Sequence, residues 1–491
     1  MALTAIGESV PAVVPFSGST IHSTVPFEAL GYQEEEPAEP AEGSRQSSGR
    51  LVGLWNLIRT DQMLRNSLYL MLNMGVQAAL GFAFWIIAAR YFSTVSVGRA
   101  TSLISASTLI AFLGQLGLNT ALVKYLPVSN RRNGLITAGV TLCAACTAVI
   151  AIFYVILMPF VSKPISFVAH SLALAIGFVV LTAGGGINLI TDSVFLAEGK
   201  SNFMAIIDGV VGGAAKIALV IILAGSGAYG AYGVFGAVVG GYLTAALASL
   251  FVIFSVLHWR PTFSEFRQVL RPILNFSGMN YVGNILGLLP TLVVPLLIIN
   301  IVGASAAAYY YVSFQLASLL YQAAYSVEDA FLAEGAHSGT VSKAILKRSV
   351  RILIALCVPS LIGVLLFGHL LLSAFGSSYQ SNGESSLIPL TFAVLPIAVY
   401  HWCLTVLRLL DRNRTIVWTN AVYAAAVISL ALVLAPRGLE AATMAWPLGT
   451  TVGALVAGGA AITSLRRTGS ASLARREDYS RHPVEVQPDN G

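Results

Sequence analysis

The chain has 491 residues, with 28 Lys or Arg against 22 Asp or Glu and a net charge of +6. Hydrophobic residues make up 56% and charged residues only 10%, too little charge to cover a soluble protein of this length. The composition therefore excludes a soluble globular protein, and the positive balance needs no nucleic-acid partner, because basic loops against an anionic leaflet account for it.

Residues 1–50 carry Glu34, Glu35, Glu36, Glu39 and Glu42 among prolines and serines, with no helical period. They read as a disordered cytoplasmic tail. No cationic segment precedes an apolar one, so a cleaved signal peptide is not expected. Across 51–66, the spacing of Leu51, Leu54, Trp55 and Ile58 beside Arg50, Arg59 and Arg65 suits an amphipathic helix on a membrane face. It suits an ordinary juxtamembrane linker equally.

Twelve apolar runs follow, at 67–91, 99–121, 134–160, 169–195, 203–224, 230–257, 277–302, 306–333, 350–374, 385–409, 415–434 and 440–465. A bilayer-spanning helix needs about 20 apolar residues, and these runs meet it. The expected fold class is an all-α integral membrane protein of about 12 transmembrane helices. It divides into an N-terminal six-helix lobe (67–257), a cytoplasmic linker (258–276) and a C-terminal six-helix lobe (277–465). A polar tail (466–491), also read as disordered and cytoplasmic, closes the chain.

Basic residues fall in alternate gaps. One set of gaps holds 13 of them: Lys124, Arg131 and Arg132, then Lys200, then Arg260, Arg267 and Arg271, then Lys343, Lys347 and Arg348, then Arg408, Arg412 and Arg414. The other set holds 4, namely Arg90, Arg99, Lys163 and Arg437. The positive-inside rule puts the richer gaps and both termini in the cytoplasm.

Several patterns resemble chemistry but have plainer readings. Cys143 and Cys146 form a C-x-x-C inside the third apolar run, where small residues one turn apart pack helices. Gly225 to Gly230 fits G-x-G-x-x-G but follows a membrane helix, without the strand or acidic residue a dinucleotide site needs. No nucleophile has a paired base, and no Cys/His cluster completes a metal site. No enzymatic activity, cofactor or metal is expected. Gly184, Gly185 and Gly186, like Pro290 and Pro295, mark places where a helix can bend, with Gly185 and the two prolines as hinge candidates.

Charges inside the runs are a different matter, because an ionisable group in lipid costs roughly 3 kcal/mol. Lys216 lies deep in the fifth run, with Asp208 two turns earlier on roughly the same face. Asp192 lies late in the fourth run, and Glu328 and Asp329 late in the eighth. A water-filled cavity would use Lys216 to hold an anionic cargo and the carboxylates to bind a coupling ion; alternatively these groups pair for structure. Arg90 and Arg99 flank the first external turn, where they can line a cavity mouth or snorkel to headgroups. Asn73 and Gln77, then Gln115 and Asn119, are each four residues apart and so share a helix face. Such amide stripes suit a sugar-contacting lining or helix–helix hydrogen bonds.

The start of the first run (Asn73 onward) and of the seventh (Asn280 onward) share an Asn, a Leu-Gly and a long apolar stretch. An offset of six runs makes the halves parallel repeats around a shared cavity.

Residues 81–127 carry a more specific pattern. Ala89-Arg90, Val97-Gly98, Leu116-Gly117-Leu118 and Ala121-Leu122-Val123-Lys124 ending in Pro127 resemble the opening of the bacterial polysaccharide and O-antigen flippases. These belong to the multidrug/oligosaccharidyl-lipid/polysaccharide exporter superfamily. The resemblance implies transport, in a bacterial cell membrane, of an oligosaccharide linked to polyprenyl diphosphate, from the cytoplasmic to the outer leaflet, for surface polysaccharide synthesis. It implies a polysaccharide polymerase or glycosyltransferases as partners, besides membrane lipid. It also implies cavity cations for the diphosphate, for which Arg90, Arg99, Lys124 and Lys216 are the candidates. The second half departs from the pattern, since Ala330 to Glu334 lacks the expected proline. The alternatives are an ion-coupled multidrug exporter or a lipid II flippase of the same superfamily. From a different class, a membrane glycosyltransferase or polymerase would need catalytic carboxylates in a large external loop, and every loop here is short.

Overall fold

The computed structural model describes residues 62–226, 230–264, 266–338 and 343–481; within them only the backbone is described for 62–74, 226, 266–280, 333, 336–338, 343–344 and 468–481. The expected tail at 1–50 and most of the amphipathic stretch at 51–66 lie outside these residues.

Among the described residues the secondary structure is helical, without strands. In a bilayer that is what the backbone requires, because no water is there to satisfy its N–H and C=O groups. The helices of the first half are α1 (Gln62–Tyr91), α2 (Thr94–Gly114), α3 (Leu118–Tyr125), α4 (Arg132–Val161) and α5 (Leu172–Ala197). They are followed by α6 (Ser201–Met204), a π-helical segment (Ala205–Gly212), α7 (Gly213–Ser226) and α8 (Gly230–Ser255). The second half holds α9 (Phe266–Ile301), α10 (Ala304–Ser338), α11 (Lys343–Ser373), α12 (Ser377–Phe392), α13 (Val394–Leu409), α14 (Asn413–Leu434), α15 (Leu439–Thr443) and α16 (Ala445–Arg481).

Ten stretches among the described residues are long and apolar enough to cross a membrane. α1 and α10, of 30 and 35 residues, complete the twelve by length. The polar residues of α10 keep it out of the apolar count, and two of them, Glu328 and Asp329, face a cavity. Helix α9 begins at Phe266, inside the stretch expected to be a linker. α16 continues to Arg481, past the expected start of a tail, through Ala, Leu and Arg that favour helix.

The second apolar run is not one helix. It breaks after Gly114, where Leu116 (φ 49°) and Gly117 (φ 75°) turn left-handed before α3. The fourth run, by contrast, continues unbroken through its three glycines. A Cβ on Gly184 would lie 2.6 Å from Leu243 and one on Gly186 2.7 Å from Thr147, whereas Gly185 faces open space. These glycines admit neighbouring helices and do not interrupt their own. α9 likewise runs through Pro290 and Pro295.

In the first half, α5 packs on α4 and α8; in the second, α16 packs on α13 and α14. α2 crosses between the halves, against α9 and α10. At one end the halves are sealed. A Cβ on Gly98 would sit 1.7 Å from the Ala304 carbonyl oxygen, so the two backbones touch there. Thr94 and Ser305 share a hydroxyl hydrogen bond of 3.2 Å, and Arg90 Nε donates to Ala374 O at 2.9 Å. Phe82 meets Phe375 edge-on at 5.1 Å, and Trp85 lies 4.7 Å from Tyr311.

Candidate functional site

Toward the opposite end of the helices lies a cavity of about 420 Å³. The break after α2 forms one wall and presents Phe112, Gln115 and Asn119. α9 contributes Tyr281, Gly283, Asn284, Gly287 and Thr291, while α10 contributes Tyr321, Tyr325, Glu328 and Asp329. α13 and α14 close it with Tyr400, His401, Arg408, Asn420 and Tyr423. Tyr281 donates its hydroxyl to Leu113 O at 2.7 Å, joining α9 to the end of α2.

The charges in this cavity form one network. Glu328, 7% exposed, receives Arg408 Nη1 on one oxygen at 2.5 Å and faces His401 Nδ1 with the other at 2.8 Å. The Tyr325 ring stands edge-on to His401 at 4.6 Å. A buried carboxylate needs such partners, since desolvation otherwise outweighs its interactions. Beside it the Tyr400 hydroxyl donates to the Asn420 side-chain oxygen, and Asn420 Nδ2 donates to Gly283 O at 2.8 Å. Asp329 lies next to the network on the cavity wall.

Gln115, Asn119, Glu328 and Asp329 thus meet in one place. The expected cations do not. Arg90 is engaged at the sealed end. Arg99 has a buried Nε without a partner among the described residues. Lys124 lies 5.4 Å from the Tyr125 ring. Lys216 sits 3.8 Å above the Tyr242 ring and against Gly241, with no carboxylate in ion-pair distance among the described residues. None of the four lines the cavity. Gln77 is exposed on α1 and away from it, and the side chain of Asn73 lies outside the described residues.

Asp208 sits in the π-helical segment (Ala205–Gly212), and no ion pair joins it to Lys216 among the described residues. Asn188 Nδ2 donates to Asp208 Oδ1 at 2.8 Å, and the Asp192 carboxyl neighbours Asp208 closely enough for their charges to interact. Asp192 Oδ1 is buried without a partner. A second polar group, Asn188–Asp192–Asp208, is therefore built between α5 and the π segment.

His401, Arg408, Asn284 and Asn420 are functional candidates that the sequence reading misses. His401 and Arg408 are seven residues apart and so share a helix face, which was a usable signal. Arg408 also satisfies the positive-inside rule, which hides its pairing. Among the described residues no group of three His, Cys, Asp or Glu could hold a metal, and the four cysteines are unpaired. Cys143 is buried, its Sγ 3.4 Å from Gly186 O.

Residues 87–382 match a family model described as polysaccharide biosynthesis protein. No curated protein matches the chain by sequence. Among solved structures it is similar to an inward-facing multidrug resistance MATE family transporter of the MOP superfamily, with TM-score 0.61, 14% identity, and 80% of this chain and 95% of that one covered. It is also similar to the lipid II flippase MurJ in an inward closed conformation, with TM-score 0.60, 16% identity, and 86% and 94% covered. The outward-facing MATE structure gives TM-score 0.55 at 15% identity, with 82% and 94% covered. At these identities the likeness is one of fold.

Proposed function

The chain belongs to the polysaccharide biosynthesis protein family, and from that premise we propose that it is a flippase for a lipid-linked saccharide. The cargo is a polyprenyl-diphosphate-linked oligosaccharide, moved from the cytoplasmic to the outer leaflet by alternating access. A diphosphate and its sugars cannot cross about 30 Å of hydrocarbon unaided. A polar cavity replaces the hydration of the sugars while the prenyl chain stays in lipid.

The observation that carries this reading is the cavity beside α10. Its size falls within the range of small-molecule sites. Gln115, Asn119 and Asn284 offer amide donors and acceptors to sugar hydroxyls, and the Tyr281 hydroxyl, whose proton goes to Leu113 O, offers an acceptor. The aromatic faces carry negative potential and suit the C–H face of a sugar ring. Arg408 and Glu328 offset each other, leaving Asp329, so the lining favours an uncharged or amino-sugar headgroup over an acidic one. The cavity lies at the end bearing most of the basic gaps, which the positive-inside rule assigns to the cytoplasm. With contacts between the halves closing the other end, this arrangement fits an inward-facing state on that orientation. Asn188, Asp192 and Asp208 are the coupling-ion candidates in the first half, as Glu328 and Asp329 are in the second.

The test is flipping of a polyprenyl-diphosphate oligosaccharide in proteoliposomes, read as exposure of the sugar to an added glycosidase. N119A and N284A should slow it while the melting temperature holds. Flipping no faster than in empty liposomes overturns the reading. Translocation of lipid II alone, or export of cationic drugs alone, would assign the protein to those cargoes instead.

A further inference from the structure

The turn before α4 and the segment after α8 enclose a second cavity, of about 290 Å³, lined by Asn130, Arg131, Arg132, Asn133, His258 and Thr262. It lies at the ends of two membrane-crossing helices. It contributes nothing to the cavity beside α10, with which it shares no lining residue.

The walls are held in place. Trp259 Nε1 donates to Asn133 O at 3.3 Å and to Thr137 Oγ1 at 3.2 Å. The Thr262 backbone N–H donates to Thr137 Oγ1 at 3.1 Å and that of Arg260 to Asn133 Oδ1 at 3.4 Å. His258 is kept at φ 54°, a conformation that costs a side-chain-bearing residue energy and persists only when its surroundings enforce it.

The polar groups facing the cavity are under-used. Arg132 Nε lies 2.7 Å from Glu198 Oε1, yet Arg132 Nη2 is buried with no partner. The Arg131 guanidinium forms no ion pair or side-chain hydrogen bond among the described residues. Two guanidinium-bearing residues and a histidine line the cavity, and the one carboxylate paired with any of them among the described residues, Glu198, is outside the lining. Topology explains why cations sit on this side of the membrane. It does not explain why the Arg132 Nη2 donor, on a side chain otherwise partly exposed, is buried beside a pinned loop and left empty, since such a donor is costly. A planar guanidinium fork matches the oxygens of a phosphate.

We propose that this cavity binds a phosphate group, presented by an anionic lipid headgroup of the adjoining leaflet or by a free phosphate ester. The site is independent of the saccharide cavity and does not depend on the flippase reading.

The experiment uses the full chain purified in a neutral detergent. Binding of dioctanoyl phosphatidylglycerol and of sn-glycerol 3-phosphate is measured by titration, with dioctanoyl phosphatidylcholine as the lipid control. R131Q should weaken phosphate binding roughly fivefold, the effect of one basic residue near a membrane surface, and H258Q should weaken it in the same direction. R260Q should bind as wild type, because Arg260 lies over the Phe254 ring and outside the cavity lining. Melting temperatures show that each variant is folded. Binding of the phosphatidylglycerol alone identifies a lipid headgroup as the source, and equal binding of glycerol phosphate identifies a free ester. Unchanged binding in both R131Q and H258Q, or a loss in R260Q equal to that in R131Q, overturns the proposal.

Discussion

Glu328 is the residue on which the cavity's charges converge. Arg408 and His401 each take one of its oxygens, so removing Arg408 leaves a buried carboxylate with one partner. R408A should therefore destabilise the protein by about 2–3 kcal/mol, read as a fall in the detergent melting temperature. E328Q removes the charge that needs Arg408, and the double variant E328Q/R408Q should recover most of the loss. Additive losses in that double-mutant cycle would show that the pair is not coupled. Gln115 and Asn119 stand out in the sequence by a spacing that assumes one continuous helix, yet the left-handed turn at Leu116 and Gly117 lies between them, so the turn and not a shared helix face brings both to the cavity. Arg408 does not stand out, because a basic residue at a span's end satisfies the orientation rule whether or not it pairs with a carboxylate 80 positions away.

At the scale of elements, the twelve apolar runs were readable because a bilayer leaves the backbone only helices to form. Where helices break or rewind was not readable. The π segment lies in a largely apolar run, and the Gln115–Gly117 break, though Gly117 supplies a left-handed residue, lies in a run whose length suits one span. The π segment has a functional consequence. By directing Asp208 toward Asn188 and Asp192 it assembles the group proposed to bind a coupling ion. D208N should abolish transport driven by an imposed ion gradient while leaving exchange without a gradient intact. Loss of both activities, or of neither, would count against a coupling role. The Val97-Gly98 pair, part of the family pattern, has its explanation in packing. Gly98 is where α2 and α10 touch, and a Cβ there would overlap the Ala304 carbonyl. G98V should force the helices apart at a cost of about 1–3 kcal/mol and shift the population toward the state open at that end. Spin labels at Ser96 and Ala306 should then report longer distances than in the wild type.

For the molecule as a whole, the distribution of charge decides what the cavity can take. The sequence suggests a cationic cavity built from Arg90, Arg99, Lys124 and Lys216, but the folded chain sends all four elsewhere. What remains in the cavity is Glu328 and Asp329 against Arg408, with His401 beside them. A sugar carboxylate entering the cavity would meet Asp329 without a free cation among the lining residues. A lipid-linked oligosaccharide of neutral or amino sugars should thus be flipped faster than one of the same length bearing uronic acids, by roughly tenfold if a single like-charge contact costs about 1.4 kcal/mol. D329N removes the repelling charge and should narrow that ratio, chiefly by speeding the acidic cargo. Faster flipping of the acidic cargo by the wild type would mean that an unpaired cation, with Arg99 and its unpartnered Nε the first to examine, enters the cavity in another state of the transport cycle.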